Sequence, residues 1–195
     1  MNNVLNRNLF FVKEHIGLFK AANNYDILDP ETQQIIMICR EENLGFFTKI
    51  LRFTDYKRMT PFNIIISTEH GETIVNVKRG VSLFRSMVEV YDPRGLLIGT
   101  FRQKIMSIGG KFDLLDSLGN VLCTLEGNWK GWDFKFMKDN IELASVSKKW
   151  AGLGKELFTT ADNYMLQIES LVKANDPIRM SILAAVICID MVLKE

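Results

Sequence analysis

Asp176-Pro177-Ile178-Arg-Met-Ser-Ile-Leu-Ala-Ala-Val-Ile-Cys-Ile-Asp-Met-Val-Leu193 is the stretch on which the reading of the whole chain turns. Asp176 suits a helix N-cap and Pro177 the first helical position, where its missing N–H costs nothing. The residues that follow are apolar around nearly the whole circumference. Such a helix either spans a membrane or is buried in a core. Residues 178 to 193 would reach roughly 24 Å, short of a ~30 Å hydrocarbon layer. Arg179 and Asp190 lie inside the stretch, and each would cost about 2.5 to 3.5 kcal/mol at a bilayer centre. Burying about eight aliphatic side chains in protein contributes on the order of 12 to 24 kcal/mol, an upper bound before chain entropy. The arithmetic favours a buried helix over about residues 177–193. Asp190, a charge on an apolar helix, then requires a partner, expected as a Lys or Arg at the end of the core.

Working outward from the helix, the residues before it read as strands and tight turns. Turn chemistry stands at Asp29-Pro30-Glu31-Thr32, Glu69-His70-Gly71-Glu72, Asp92-Pro93-Arg94-Gly95, Asp116-Ser117-Leu118-Gly119 and Lys138-Asp139-Asn140. From Glu69 onward the turns recur every ~23 residues, the spacing of a strand, a turn and a returning strand. Ile74, Val75 and Val77 follow one turn, and Val88 and Val90 precede the next. Trp132, Phe134 and Phe136 fall on one face of a strand, with Ile141, Leu143 and Ser145 expected opposite them. Trp129, Trp132 and Trp150 are expected to fill the core. The pattern predicts a mainly β protein, an antiparallel meander in a barrel or sandwich. Closing into a barrel removes the free edges, and the helix would fill the lumen.

The chain has 195 residues, 47% hydrophobic and 24% charged, which fits one domain over residues 1–195 and excludes a disordered chain. Its net charge of +1 argues against nucleic acid as a partner. Cys39, Cys123 and Cys188 are odd in number and widely spaced, so neither a disulfide scaffold nor a zinc knuckle is expected. With no signal-peptide core near Met1, the expected location is cytoplasmic, with room for peripheral attachment at the inner membrane face.

Ser147-Lys148-Lys149-Trp150-Ala151-Gly152, then Glu156-Leu-Phe-Thr-Thr-Ala-Asp-Asn-Tyr164, then the helix carrying Ile189-Asp190, resembles the C-terminal part of phospholipid scramblases. Tyr25-Asp-Ile-Leu-Asp29 resembles the start of that family's first hairpin, and the resemblance covers about residues 9 to 195. The wider group takes in LURP-one-related proteins and the tubby C-terminal domain. The resemblance implies a closed antiparallel barrel of about twelve strands around a central C-terminal helix. It also implies a membrane-associated or phospholipid-sensing role. The palmitoylated cysteine cluster of scramblases has no counterpart in Lys78-Arg-Gly-Val-Ser-Leu-Phe-Arg85. Their calcium segment is degenerate here: Thr160 and Leu171 stand at its first and last acidic positions, and Asp162 remains as the candidate metal residue. Calcium takes six to eight oxygen ligands, so Asp162-Asn163 reads better as a structural turn, and no cofactor is expected.

Catalytic constellations are thin. His15 and His70 are the only histidines; His70 falls in a turn, and no Ser/His/Asp or Cys/His set appears. The chain is therefore expected not to be an enzyme. Gly152-Leu-Gly154-Lys155 lacks Walker spacing and reads as a tight turn. Cations mixed with aromatics in Phe46 to Arg58 supply candidate lipid-headgroup residues Lys49, Arg52, Lys57 and Arg58, joined by Lys78, Arg79 and Arg85. Such a surface suits anionic phospholipid. The same stretch also reads as an irregular connection whose aromatics pack inward. A soluble protein-interaction or regulatory module on a LURP-one-related barrel is the alternative function, and its partner would be a protein.

Overall fold

The five hairpin turns read from the sequence, from Asp29 to Asn140, each join two antiparallel strands. The computed structural model describes residues 3–15, 22–42, 45–51, 60–81, 86–104, 111–128, 132–148 and 163–193. Twelve strands run as β1 (Leu9–Glu14), β2 (Tyr25–Leu28), β3 (Ile35–Glu41), β4 (Phe62–Thr68), β5 (Thr73–Arg79) and β6 (Met87–Tyr91), then β7 (Leu97–Gln103), β8 (Phe112–Leu115), β9 (Val121–Asn128), β10 (Asp133–Lys138), β11 (Ile141–Ser147) and β12 (Asn163–Ile168). A 3-10 turn, Asn3–Asn6, precedes β1, a short helix α1 (Phe46–Leu51) stands between β3 and β4, and α2 (Pro177–Leu193) follows β12. Each strand pairs with its neighbours in sequence, and β1 pairs with β12, so the sheet closes into a barrel.

The hairpin turns form for a repeated local reason. The Asp92 carboxylate accepts the amides of Arg94 and Leu96, both at 2.9 Å. Asp116 accepts those of Leu118 (2.8 Å) and Asn120 (2.9 Å), and Asp29 those of Glu31 (2.8 Å) and Thr32 (3.1 Å). This is the aspartate turn, in which a side chain satisfies backbone donors that no strand can. Gly95 and Gly119 take the left-handed conformation such turns require, with φ of 80° and 88°. Asp139 and Asn140, both at positive φ, make the two-residue turn that matches strand twist.

Within the barrel lies α2. Ile182 to Ile189 are buried on every side, which the all-apolar circumference anticipated. The helix packs against β5, β6, β7 and β12. At Gly99 on β7 a Cβ would come within 2.7 Å of Ser181 Oγ, so glycine sets that close approach. Asp176 Oδ1 accepts the Ile178 amide at 2.9 Å, the N-cap read from the sequence. Among the described residues, no helix is long and apolar enough to cross a membrane.

Three details differ from the sequence reading. A register shift between Phe136 and Met137 changes the phase of β11. Phe134 pairs with Val146 and Phe136 with Ala144, so Leu143, Ala144 and Val146 are buried while Ser145 faces out. Ile141, the first residue of β11, sits at the rim, 54% exposed. Trp132 is only half-buried, in a turn ahead of β10; Trp129 and Trp150 lie outside the described residues. Part of the cation-rich stretch after Gly45 is helical, where an irregular connection was expected.

Candidate functional site

An up-and-down barrel sorts its connections alternately to two ends. The hairpins β2–β3, β4–β5, β6–β7, β8–β9 and β10–β11 turn at one end, where α2 also begins. The connections β1–β2, β3–β4, β5–β6, β7–β8, β9–β10 and β11–β12 belong to the other, and all but the four-residue β9–β10 link are longer than any hairpin turn. The sequence distributes charge by the same rule. In sequence these six connections contain twelve Lys/Arg against four Asp/Glu, a net of +8. The hairpin turns, residues 1–8 and the β12–α2 segment contain three Lys/Arg against nine Asp/Glu, a net of −6. Along the sequence the near-zero total therefore conceals two sets of connections of opposite sign; of the twelve cations, Lys49, Lys104, Lys111 and Lys148 are among the described residues.

In sequence, Lys49, Arg52, Lys57 and Arg58 belong to the β3–β4 connection and Arg85 to β5–β6, while Lys78 and Arg79 are the last two residues of β5. Lys49 is exposed on α1. Lys78 is exposed on β5, its ammonium 5.2 Å from the centre of the Tyr91 ring. Arg79, the next residue along the strand, points the opposite way because strand side chains alternate. It is 5% exposed, stacks 4.7 Å over Phe62 and donates to the Thr60 carbonyl at 2.7 Å. Arg52, Lys57, Arg58 and Arg85 lie outside the described residues, as do Asp162 and the Gly152–Lys155 turn. Among the described residues, no group of three or more His, Cys, Asp or Glu is placed to hold a metal ion.

At the same end the structure gathers residues far apart in the chain. Asp190, near the C-terminus of α2, is buried and accepts from the hydroxyls of Tyr25 (2.5 Å) and Tyr164. A Lys or Arg was expected beside Asp190; two phenols also serve it, and a hydroxyl brings a donor to a carboxylate without a second charge to desolvate. Burial, and after it the Asp190 charge, push the Tyr25 hydroxyl well above its ordinary pKa, so it stays protonated and donating. Outside this pair, Trp132 stacks 4.8 Å from Tyr164, and the Lys148 ammonium lies 4.4 Å over Trp132 and 5.3 Å over Tyr164. Lys148, Tyr164 and Asp190 all come from the motifs that carry the family resemblance. Their adjacency explains why those motifs go together: they fix the helix end, β12 and the β10 turn to one another.

Beside this cluster, Asp26 bridges His15 (2.5 Å) and Arg40 (2.7 Å) across three strands. Burial alone would raise the Asp26 pKa, but hydrogen bonds from Arg40 and then His15 hold it below the ordinary value. His70 is 87% exposed in its turn, as the sequence predicts. All three cysteines are free and buried, and burial raises their pKa, Cys123 to about 12, so they are unreactive thiols.

Helix α2 is tied at the acidic end too. Arg179 is 2% exposed and donates to the carbonyls of Val172 (2.6 Å) and Arg7 and to Asn8 Oδ1 (2.7 Å). A buried cation is tolerable here because carbonyl oxygens surround it. Those contacts also bind the start of β1 to the end of β12, at the seam where the barrel closes.

A family model described as Scramblase matches residues 5–195. The chain is 23% identical over 198 aligned residues to "Altered inheritance rate of mitochondria protein 25" of Saccharomyces cerevisiae, covering 86% of this chain and 58% of the relative. It is 22% identical over 181 residues to "Phospholipid scramblase family protein C343.06c" of Schizosaccharomyces pombe, covering 88% of this chain and 47% of the relative. The chain thus spans about half the length of these curated relatives. No solved structure matches it.

Proposed function

We propose, for a chain that belongs to the scramblase family, that it binds anionic phospholipid as a peripheral protein, with the basic end of its barrel turned toward the inner face of a membrane. The observation that carries the reading is the sorting of charge: a net of +8 in the connections of one end against −6 at the other. Each Lys or Arg near an anionic surface contributes about 1 kcal/mol, and the field also orients the molecule as it approaches. Lys49, Arg52, Lys57, Arg58, Lys78 and Arg85 are the contributing cations. Arg79 is left out of the set because its guanidinium is engaged inside the barrel wall. Binding needs no calcium in this reading, since one aspartate at Asp162 is too little charge for a cage of six to eight oxygens. The barrel acts by attachment, with no bond chemistry of its own, and serves as one unit over residues 1–195.

Vesicle flotation tests this. The full chain should float with phosphatidylserine-containing vesicles and stay down with pure phosphatidylcholine, and binding should weaken as salt rises. A Lys49→Ala, Lys57→Ala, Arg58→Ala variant should lose most of the bound fraction. Equal flotation on neutral vesicles, or no flotation on either, removes the proposal. A calcium requirement removes its calcium-independent part.

A further inference from the structure

We infer that the acidic end of the barrel is a docking surface for a basic, amphipathic helix of a protein partner. Every residue it uses is described, and the inference does not rest on lipid binding at the other end. Hairpin turns are normally polar, yet these carry large apolar side chains at their tips. Ile141 on hairpin β10–β11, Leu118 and Val121 on β8–β9, and Leu96 on β6–β7 are 54%, 86%, 54% and 55% exposed. These three hairpins are neighbours around the rim. Scattered exposed aliphatics are ordinary on a protein surface; an arc of them on adjacent turns is the kind of feature that marks an interface.

The arc continues into a different chemistry. The next hairpin, β4–β5, brings Glu69, His70 and Glu72, beside a groove of about 500 Å³ whose lining also includes Val4 and Ile36. Apolar walls with carboxylates among them suit a Lys or Arg side chain, which has an aliphatic stem and a cationic head. Arg7, also lining the groove, is already paired with Asp29. The net of −6 selects a positively charged occupant and disfavours an anionic membrane. The hairpins of Ile141 and Glu69 stand six of the twelve strands apart, on opposite sides of the rim, so the straight line between them is roughly 20 Å, the length of a helix of about thirteen residues. A closed barrel has no strand edge to extend, so the contact must be made by side chains on a helix face and not by adding a strand.

The test uses the full chain and a fluorescent synthetic peptide of leucines and lysines at helical spacing, with a glutamate-for-lysine version as control. The lysine peptide should bind by anisotropy and the glutamate peptide should not. Leu118→Asp with Val121→Asp should weaken binding about tenfold or more, although it makes the surface more acidic, because two aliphatic contacts are lost. Glu31→Lys with Glu69→Lys should weaken it and flatten its salt dependence. All four positions are exposed, so the fold is expected to survive; circular dichroism checks this, and Leu118→Ser alone serves if the double variant unfolds. Unchanged or tighter binding by the aspartate variant would mean charge alone and overturns the inference. Failure of the lysine peptide to bind near millimolar concentration also overturns it. So does sedimentation showing that the chain self-associates end to end and that the same substitutions abolish this, since the occupant would then be a second copy.

Discussion

The two ends of the barrel are built to different specifications. At the acidic end, three of the five hairpin turns are stitched by an aspartate side chain to their own backbone amides, alongside the remote contacts of Arg179. At the basic end all but one of the connections are longer, and the described contacts join segments remote in sequence: Tyr25 and Tyr164 on Asp190, Lys148 over Trp132, and Asp26 between His15 and Arg40. Local stitching leaves the turn tips free to carry side chains that the fold does not need. Remote stitching commits the residues of the motifs to holding the helix; among the described cations of these connections Lys49 is exposed, while Lys104 and Lys111 pair with Asp113 and Glu126. Architecture and recognition are thus separated differently at each end, and α2, held by Arg179 at one and Asp190 at the other, runs between them inside the strands.

Removing that shared element should have the largest effect. Deleting residues 177–195 empties the lumen, and the loss should abolish the cooperative unfolding transition seen by circular dichroism in urea. A truncated chain that still unfolds cooperatively would mean the barrel does not depend on its helix. Next comes the remote stitching of the basic end. Tyr25→Phe and Tyr164→Phe should each cost about 1 to 3 kcal/mol, because a buried carboxylate loses a donor. Together they should depart from additivity, since both donate to Asp190; urea midpoints of the single and double variants measure this.

A smaller effect separates the ends through glycine. Gly119→Ala at the acidic end has open space but a φ of 88°, and should cost about 1 kcal/mol of strain. Gly80→Ala, after β5 at the basic end, has open space and no such φ, and should be neutral or stabilising by about 0.4 to 1 kcal/mol. Thermal melts of the pair give the contrast directly.

Acid should act most gently, and mostly on one end. The Leu96 amide above all holds the Asp92 carboxyl below its ordinary value of 3.8, and the Asn120 side chain does so for Asp116. At Asp29, burial pushes upward but the amides of Thr32 and Glu31 and the Arg7 charge outweigh it. A carboxylate with a depressed folded pKa binds fewer protons in the native state than in the unfolded one. Its stabilisation is therefore complete above about pH 4 and is lost as pH falls through the lower, folded value. Asp26 contributes the same sign at the basic end. Hydrogen exchange compared above and below pH 4 should show hairpin tips opening first, and Asp116→Asn should reduce the pH dependence.

Most of the fold was legible because its signals are local. Each Asp-containing turn specified its own hairpin, and the apolar circumference of residues 178–193 specified burial. Legibility failed where the deciding partner was remote. Nothing near Asp190 in sequence points to Tyr25, and nothing near Phe136 announces the register shift that turns Ser145 outward. Lys78 and Arg79 read as one basic pair until the strand assigned them to opposite faces. The charge sorting was present in the sequence yet invisible in its sum, because acidic turns and basic connections alternate along the chain and only the up-and-down topology separates them.

The pairing of β1 with β12 has a consequence for biosynthesis. Were the strands to pair as the ribosome makes them, eleven would stand as an open sheet whose interior face has nothing to cover it. The seam closes, and the lumen fills, only after β12 and α2 have been made. Until then two unpaired borders and a broad oily concavity are exposed to the cell, a state open to mispairing with other nascent chains. Completion joins elements from the two extremes of the fold, so the last step is a long-range search and should be slow. A holdase that shelters the unfinished sheet is the help such a fold most needs.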